Sequence, residues 1–141
     1  MANGATCRFC EIAAGDPDEH VLLADDRTVA FLDKEPVHPG HSLVIPRDHW
    51  AGLPEISDGA VRALYSTVRR VAVAIDRTVD PEGINAIHSS GSAAGQDVHH
   101  AHVHVIPRYQ EDRFGFDPPR RRYDDGEADA LTARLRESLP P

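Results

Sequence analysis

Lysine is almost missing from this chain: Lys34 is the only one, so nearly all of the positive charge is arginine. Lys+Arg 15 against Asp+Glu 23 leaves a formal net charge of -8, which argues against a partner that is a nucleic-acid polymer held by phosphate neutralisation. A small anionic ligand is not excluded, because nearby arginine, histidine or backbone N–H groups outweigh a distant field. Long apolar runs are also missing. The longest aliphatic stretch, Val71 to Ile75, is far shorter than the roughly 20 residues a helix needs to span a bilayer. Met1 to Thr6 carry neither the basic start nor the apolar stretch of an export signal, so the expected location is cytoplasmic, with no membrane partner. Cysteine is limited to Cys7 and Cys10, too closely spaced for an ordinary structural disulfide. That Cys-x-x-Cys suits a redox pair or half of a zinc site. Internal repeats and low-complexity linkers are absent too.

A chain of 141 residues can bury one real core and is too short for two ordinary domains. The reading is a single domain over 1–141, with a core at about 7–108 and a tail of different character at 109–141. After a short segment from Phe9 to Ala14, Gly15-Asp16-Pro17 breaks the chain. Val21-Leu22-Leu23 and Thr28 to Leu32 flank the polar Asp25-Asp26-Arg27, as a β-hairpin would. Ser42 to Ile45, stopped by Pro46, has the continuous apolar character of a strand buried on both faces. From Ser57 to Val79 the residues Val61, Leu64, Tyr65, Val68, Val71, Ala72 and Ile75 recur at helical spacing, with Ser57 or Asp58 as N-cap. Pro81 and Gly83 end that helix, Ile84 to Ile87 and His100 to Pro107 read as strands, and Ala128 to Leu139 reads as a last helix. The expected fold class is α+β: an antiparallel sheet, one long helix and a C-terminal helix. Arg120 to Arg122, beside acidic residues, read as a solvated charge run.

Histidine is the residue in excess, with 9 in the chain. If Ala101 to Ile106 is extended, His100, His102 and His104 project from one face and Ala101, Val103 and Val105 from the other. Alternate residues on a strand are ~6.8 Å apart, so the outermost two imidazoles converge on one ion with ~2.1 Å bonds only with difficulty. The row is better suited to divided labour than to one metal. Beside it, Gly91 and Gly95 permit close backbone approach, and Ser92-Ala93-Ala94 offers N–H groups without bulk. Phosphate is the natural ligand for such a loop.

The segment His100-Ala101-His102-Val103-His104-Val105-Ile106 follows the pattern His-φ-His-φ-His-φ-φ, where φ is apolar, and resembles the histidine triad (HIT) family at every position. Cys7-Arg8-Phe9-Cys10, Val29 to Asp33, Pro39 to His49 and Ala94-Gly95-Gln96 look like further family blocks in family order, so the resemblance covers about Cys7 to Arg108. It implies a HIT-like fold whose sheets join across a homodimer. It also implies a nucleotide-binding hydrolase or transferase that cleaves nucleoside 5'-phosphate derivatives at the α-phosphorus through a nucleotidyl-histidine. Purine phosphoramidates and dinucleoside polyphosphates (AMP or GMP derivatives) are the implied substrates. His102 matches the family nucleophile, and a neutral imidazole attacks phosphorus without a strong base if its other nitrogen is held, most simply by a backbone carbonyl. His104 matches the histidine on the same phosphate, acting as a cation or as a donor. Gln96 and the Gly95 backbone lie next to that phosphate in family members, so Gln96 joins His102 and His104 in the implied catalytic set. Asp33 matches the acceptor of the ribose hydroxyls, with Phe9, Ile12 and Phe31 as base-pocket candidates. Ser89 and Asp97 occupy nucleotide-binding positions but depart from the common residues, a side-chain amide and a serine, which leaves the leaving group open.

For the Cys-x-x-Cys, the resemblance is to the zinc-bearing bacterial branch, in which His49 and His100 complete a structural Zn2+ site with Cys7 and Cys10. Such a Cys₂His₂ set leaves no position open for water. His20, His38, His88 and His99 are read as structural or surface histidines, and His41 receives no chemistry. Two other readings compete: a nucleotide-binding interaction protein with little turnover, supported by Ser89 and Asp97, and a catalytic metal centre built on the histidine row.

Overall fold

In the computed structural model, which describes residues 7–141, the chain runs through α1 (Arg8–Ala13), β1 (Val21–Ala24), β2 (Thr28–Leu32), β3 (Ser42–Pro46), α2 (Asp58–Val79), β4 (Gly83–His88), β5 (Val103–Arg108) and α3 (Glu127–Ser138). The five strands form one antiparallel sheet in the order β1-β2-β3-β5-β4. Residues alternate across it. Ala30, Val44, Val103 and Val105 face α2 and pack with Leu64, Val68, Val71 and Ile75. Val29, Phe31, Leu43 and Ile45 face the other way and pack with Phe9 and Ile12 of α1. Every residue of β3 is buried, as expected for a central strand covered on both faces. Among the described residues no helix is long and apolar enough to cross a membrane.

Helix α2 starts where its cap dictates: the Ser57 side chain accepts from the Ala60 N–H at 3.2 Å. The buried stripe is Ala60, Leu64, Thr67, Val68, Val71 and Ile75. Tyr65, expected in the stripe, is 40% exposed instead. The stripe is centred on Leu64 and Val68, which carries Tyr65 to its edge, where its hydroxyl meets His88 Nδ1 at 3.1 Å. Thr67, although polar, is buried because its hydroxyl pairs with that of Thr28 at 2.7 Å.

The strand expected from His100 begins only at Val103. The backbone N–H of Ala101 bonds to the Trp50 carbonyl, and the His100 ring bonds to the Pro46 carbonyl, so this stretch is tied to the loop after β3 and not to the ladder. The small-residue loop is a 3-10 turn at Ser92–Ala94, and a second such turn covers Gln110–Asp112. The last helix, expected to reach Leu139, ends at Ser138, and Leu135 within it and Leu139 just beyond it are exposed, at 59% and 72%.

Candidate active site

His104 pairs across the sheet with Leu43 on one side and Ile87 on the other, so its side chain stands on the α1 face. His102 precedes it on the same side, against Phe9 of α1, with ring centroids 5.0 Å apart. On the opposite side, Ala101, Val103 and Val105 are fully buried. The alternation expected of the triad therefore holds, although only its last third lies in a strand.

The three rings have different neighbours. His100 is fully buried, and its Nε2 lies 2.8 Å from the Pro46 carbonyl. A carbonyl only accepts, so Nε2 carries the proton and the Nδ1 lone pair faces Cys7 Sγ at 3.4 Å and Cys10 Sγ at 3.5 Å. His49 Nδ1 lies 3.3 Å from Cys10 Sγ. All four donor atoms of Cys7, Cys10, His49 and His100 are within 4.8 Å of one another. Bonds of ~2.3 Å to sulfur and ~2.05 Å to nitrogen around a tetrahedral ion put sulfur and nitrogen roughly 3.5 Å apart, so the donor set fits zinc without rearrangement. Burial and the adjacent Cys7 sulfur push the Cys10 thiol up to about 11, so two thiolates here call for a cation. Burial also lowers the His100 pKa, which keeps the ring in the neutral form a metal requires. With four protein donors, this cluster has no place for a reacting water.

His102 uses its Nδ1 on the backbone carbonyl of His100, at 2.8 Å. The lone pair is thereby on Nε2, and none of the described residues hydrogen-bonds that atom. His104 stacks edge-on to His102 at 5.2 Å and meets His41 Nε2 through its own Nδ1 at 2.9 Å. Burial, followed by the nearby His102 and His41, pushes His104 down to about 4, with Asp33 and Asp97 opposing. Of the two roles open to it, cation or donor, the protein favours the neutral donor. Asp33 lies beside the contact between His41 and His104, its Oδ2 3.5 Å from His41 Nε2, while its Oδ1 accepts from the Glu35 N–H.

Other expected residues fall in different places. Gly91 and Gly95 have φ of 92° and 95°, which explains glycine at both ends of the loop. The N–H groups of Ala94, Gly95 and Gln96 bond back to Gly91 and Ser92 carbonyls, so Ala94 offers no free donor. The Gln96 amide is 5% exposed, accepts from the Gly91 N–H and donates to the Ala51 and Val98 carbonyls. Both of its donors are engaged by backbone, so Gln96 frames the loop and has no free N–H for a transferring phosphoryl group. Phe9, Ile12 and Phe31 are packed as core; among them Phe9 lies against the His102 ring. Ser89 is half-buried at the end of β4, and Asp97 is exposed, its charge felt at His104. His41 is the residue that sequence reasoning left without a role. Its signal was phase: it lies two residues before Leu43, on the face that Leu43 shares with His104.

The HIT domain family pattern matches residues 14–111. An adenosine 5'-monophosphoramidase of Candida albicans is 31% identical over 144 residues, covering 99% of this chain and 95% of its own. A crystal structure of a HIT family member from Bacillus subtilis superposes with a TM-score of 0.89 at 32% identity, covering 96% of this chain and 99% of that one. A zinc-bound histidine triad family protein from Mycobacterium smegmatis gives a TM-score of 0.74 at 31% identity, covering 97% and 100%. By pattern, by relatives and by fold, the chain belongs to the HIT domain family.

Proposed function

We propose that this protein is a nucleotide-binding hydrolase or transferase that cleaves nucleoside 5'-phosphate derivatives at the α-phosphorus through a nucleotidyl-His102 intermediate. The substrates are purine phosphoramidates or dinucleoside polyphosphates. The observation that carries the reading is the Nδ1–H of His102 held on the His100 carbonyl, which leaves Nε2 as a nucleophile with no competing partner. In the first step Nε2 forms a bond to phosphorus, the bond from phosphorus to the leaving nitrogen or oxygen breaks, and the leaving group takes its proton from solvent. Water then attacks phosphorus, the phosphorus–nitrogen bond breaks, and the mononucleotide leaves with His102 restored. His104 donates to a non-bridging oxygen on which charge builds up. Asp33 accepts from the ribose hydroxyls. Cys7, Cys10, His49 and His100 hold a structural Zn2+ that, when bound, ties α1 to the sheet next to the nucleophile. The working form is a cytoplasmic homodimer with sheets joined edge to edge.

The test is His102→Ala on a panel of adenosine and guanosine phosphoramidates and dinucleoside polyphosphates. Turnover is expected to fall by at least about 10³-fold while AMP binding stays within a few-fold, because the change removes the attacking atom and few ground-state contacts. Near-normal turnover in the variant would overturn the assignment, and a wild type that binds AMP but turns over nothing would make the protein a binding module.

A further inference from the structure

Two groups of ligand-type side chains converge among the described residues, and one of them, Asp33, His41 and His104, belongs to the site already described. There Val37 N–H donates to His41 Nδ1 at 3.0 Å, which puts the single His41 proton on Nε2, toward His104 Nδ1. The other group holds the Cys-x-x-Cys, a spacing that suits reversible oxidation as well as metal binding. Its geometry serves both. Cys7 is the N-cap of α1, and its Sγ accepts from the Cys10 N–H at 3.4 Å, so this sulfur is already folded over the residue it would bond to. The two sulfurs lie within 4.8 Å of each other. Both cysteines are half-buried, whereas His100 behind them is fully buried, so a small oxidant reaches sulfur first.

A disulfide here removes two of the four donors, and what that loosens follows from the other ties of α1. The far end is held independently, by Arg47 donating to the Ala13 carbonyl at 2.7 Å. The near end carries Phe9, between the two cysteines, whose ring packs edge-on to His102 at 5.0 Å and to His100 at 6.0 Å. Apart from the Arg8 ion pairs with the loop that follows α1, the polar links of this end are the sulfur contacts with His49 and His100. The His100 carbonyl in turn holds His102 Nδ1 at 2.8 Å. The cluster is therefore joined to the nucleophile twice, through the Phe9 ring and through the His100 backbone.

We propose that Cys7 and Cys10 are a reversible oxidation site: hydrogen peroxide converts the zinc-bound thiolates to a Cys7–Cys10 disulfide, which releases the metal and costs His102 its alignment. Ligation keeps both sulfurs as thiolates at neutral pH, the form that reacts. One thiolate attacks a peroxide oxygen and the O–O bond breaks, giving a sulfenic acid and a hydroxide that takes up a proton. The second thiolate attacks the sulfenic sulfur, the S–O bond breaks, and the departing hydroxide also becomes water. Two electrons pass from the sulfurs to peroxide, and two protons are consumed. The effect on turnover rests on His102 as the nucleophile proposed above; the oxidation itself does not.

Zinc-loaded protein treated with hydrogen peroxide tests this without substrate. The readouts are zinc release to a chromogenic chelator, peptide mapping before reduction, and hydrogen exchange along α1 and at His100 to His102. One zinc is expected to leave per Cys7–Cys10 disulfide, with exchange in both segments faster by at least about tenfold. On an adenosine phosphoramidate, kcat is expected to fall by about tenfold to a hundredfold, the cost of an ångström-scale displacement of a reacting atom. A dithiol reductant with added zinc should restore all of these. Zinc retained after peroxide, sulfinic acid in place of the disulfide, or an oxidised protein whose α1 and His102 exchange as in the loaded form overturns the proposal. Oxidation and loosening as expected, in a protein whose zinc-loaded form turns over nothing, would strike the assignment of His102 and leave the oxidation site standing.

Discussion

His100 and His104 lie four residues apart on one segment, yet they enter two clusters of opposite chemistry. Around His100, sulfur and nitrogen stand 3.3–3.5 Å apart, a separation that leaves space for an ion. Around His104, two nitrogens stand 2.9 Å apart, leaving room only for a proton. The first cluster gathers soft donors with their lone pairs turned inward; the second is a directed chain that starts at a backbone N–H. His102 stands between them and leans on the first through the His100 carbonyl. The lesson is that donor identity names candidates, but donor separation decides between coordination and hydrogen bonding.

The comparison breaks most visibly if the first cluster is emptied. Zinc-loaded wild type is expected to hold one zinc per chain, and Cys7→Ser/Cys10→Ser to hold none. The loss of stability should be about 4 kcal/mol, the contribution of a ligand present at about 1,000 times its Kd. Metal analysis and urea unfolding measure both; zinc retained undiminished by the double variant would empty the assignment.

A pH series sharpens the same contrast. Cys10 is pushed up to about 11, so the metal-free thiol keeps its proton at neutral pH and binding must displace it. Zinc affinity should therefore fall as pH falls, by about tenfold per pH unit for each thiol proton released. Competition with a chelator between about pH 8 and pH 6 tests the slope; a flat profile would mean that the thiols are not the ligands.

The smallest effect belongs to Asp33, the carboxylate of the second cluster. If Asp33 accepts from both ribose hydroxyls, AMP should bind better than 2'-deoxy-AMP by ~1–3 kcal/mol, the scale of a buried polar group left unpaired. Asp33→Ala should erase most of that difference in competition binding. A preference that survives the substitution returns Asp33 to its turn, where its Oδ1 already accepts from Glu35 N–H.

Much of the frame is a local matter, and local patterns carried it. The hairpin at β1 and β2, the doubly buried β3 and the Ser57-capped α2 follow from alternation, apolar continuity and a capping hydroxyl. The histidine row also survived as a row, because period-2 alternation sends Val103 and Val105 into the core and His104 out of it. Less legible was where the strand starts, since the Ala101 N–H is withheld from the ladder by donating to the Trp50 carbonyl, about 50 residues away in the chain. Gln96 was less legible for a similar reason: besides the nearby Gly91 and Val98, its amide is claimed by the Ala51 carbonyl, 45 residues away in the chain.

By itself, then, the sequence determined the element types and the alternating histidines, because periodicity and residue chemistry are properties of short windows; that His49 and His100 join Cys7 and Cys10 was implied only by the family resemblance, and the structure brings the four together. Which nitrogen of each histidine carries its proton was decided only by tertiary structure. Pro46 sets His100, the His100 carbonyl sets His102, and Val37 acting through His41 sets His104. An imidazole has two nearly equivalent tautomers, and only a neighbour that can solely donate or solely accept chooses between them.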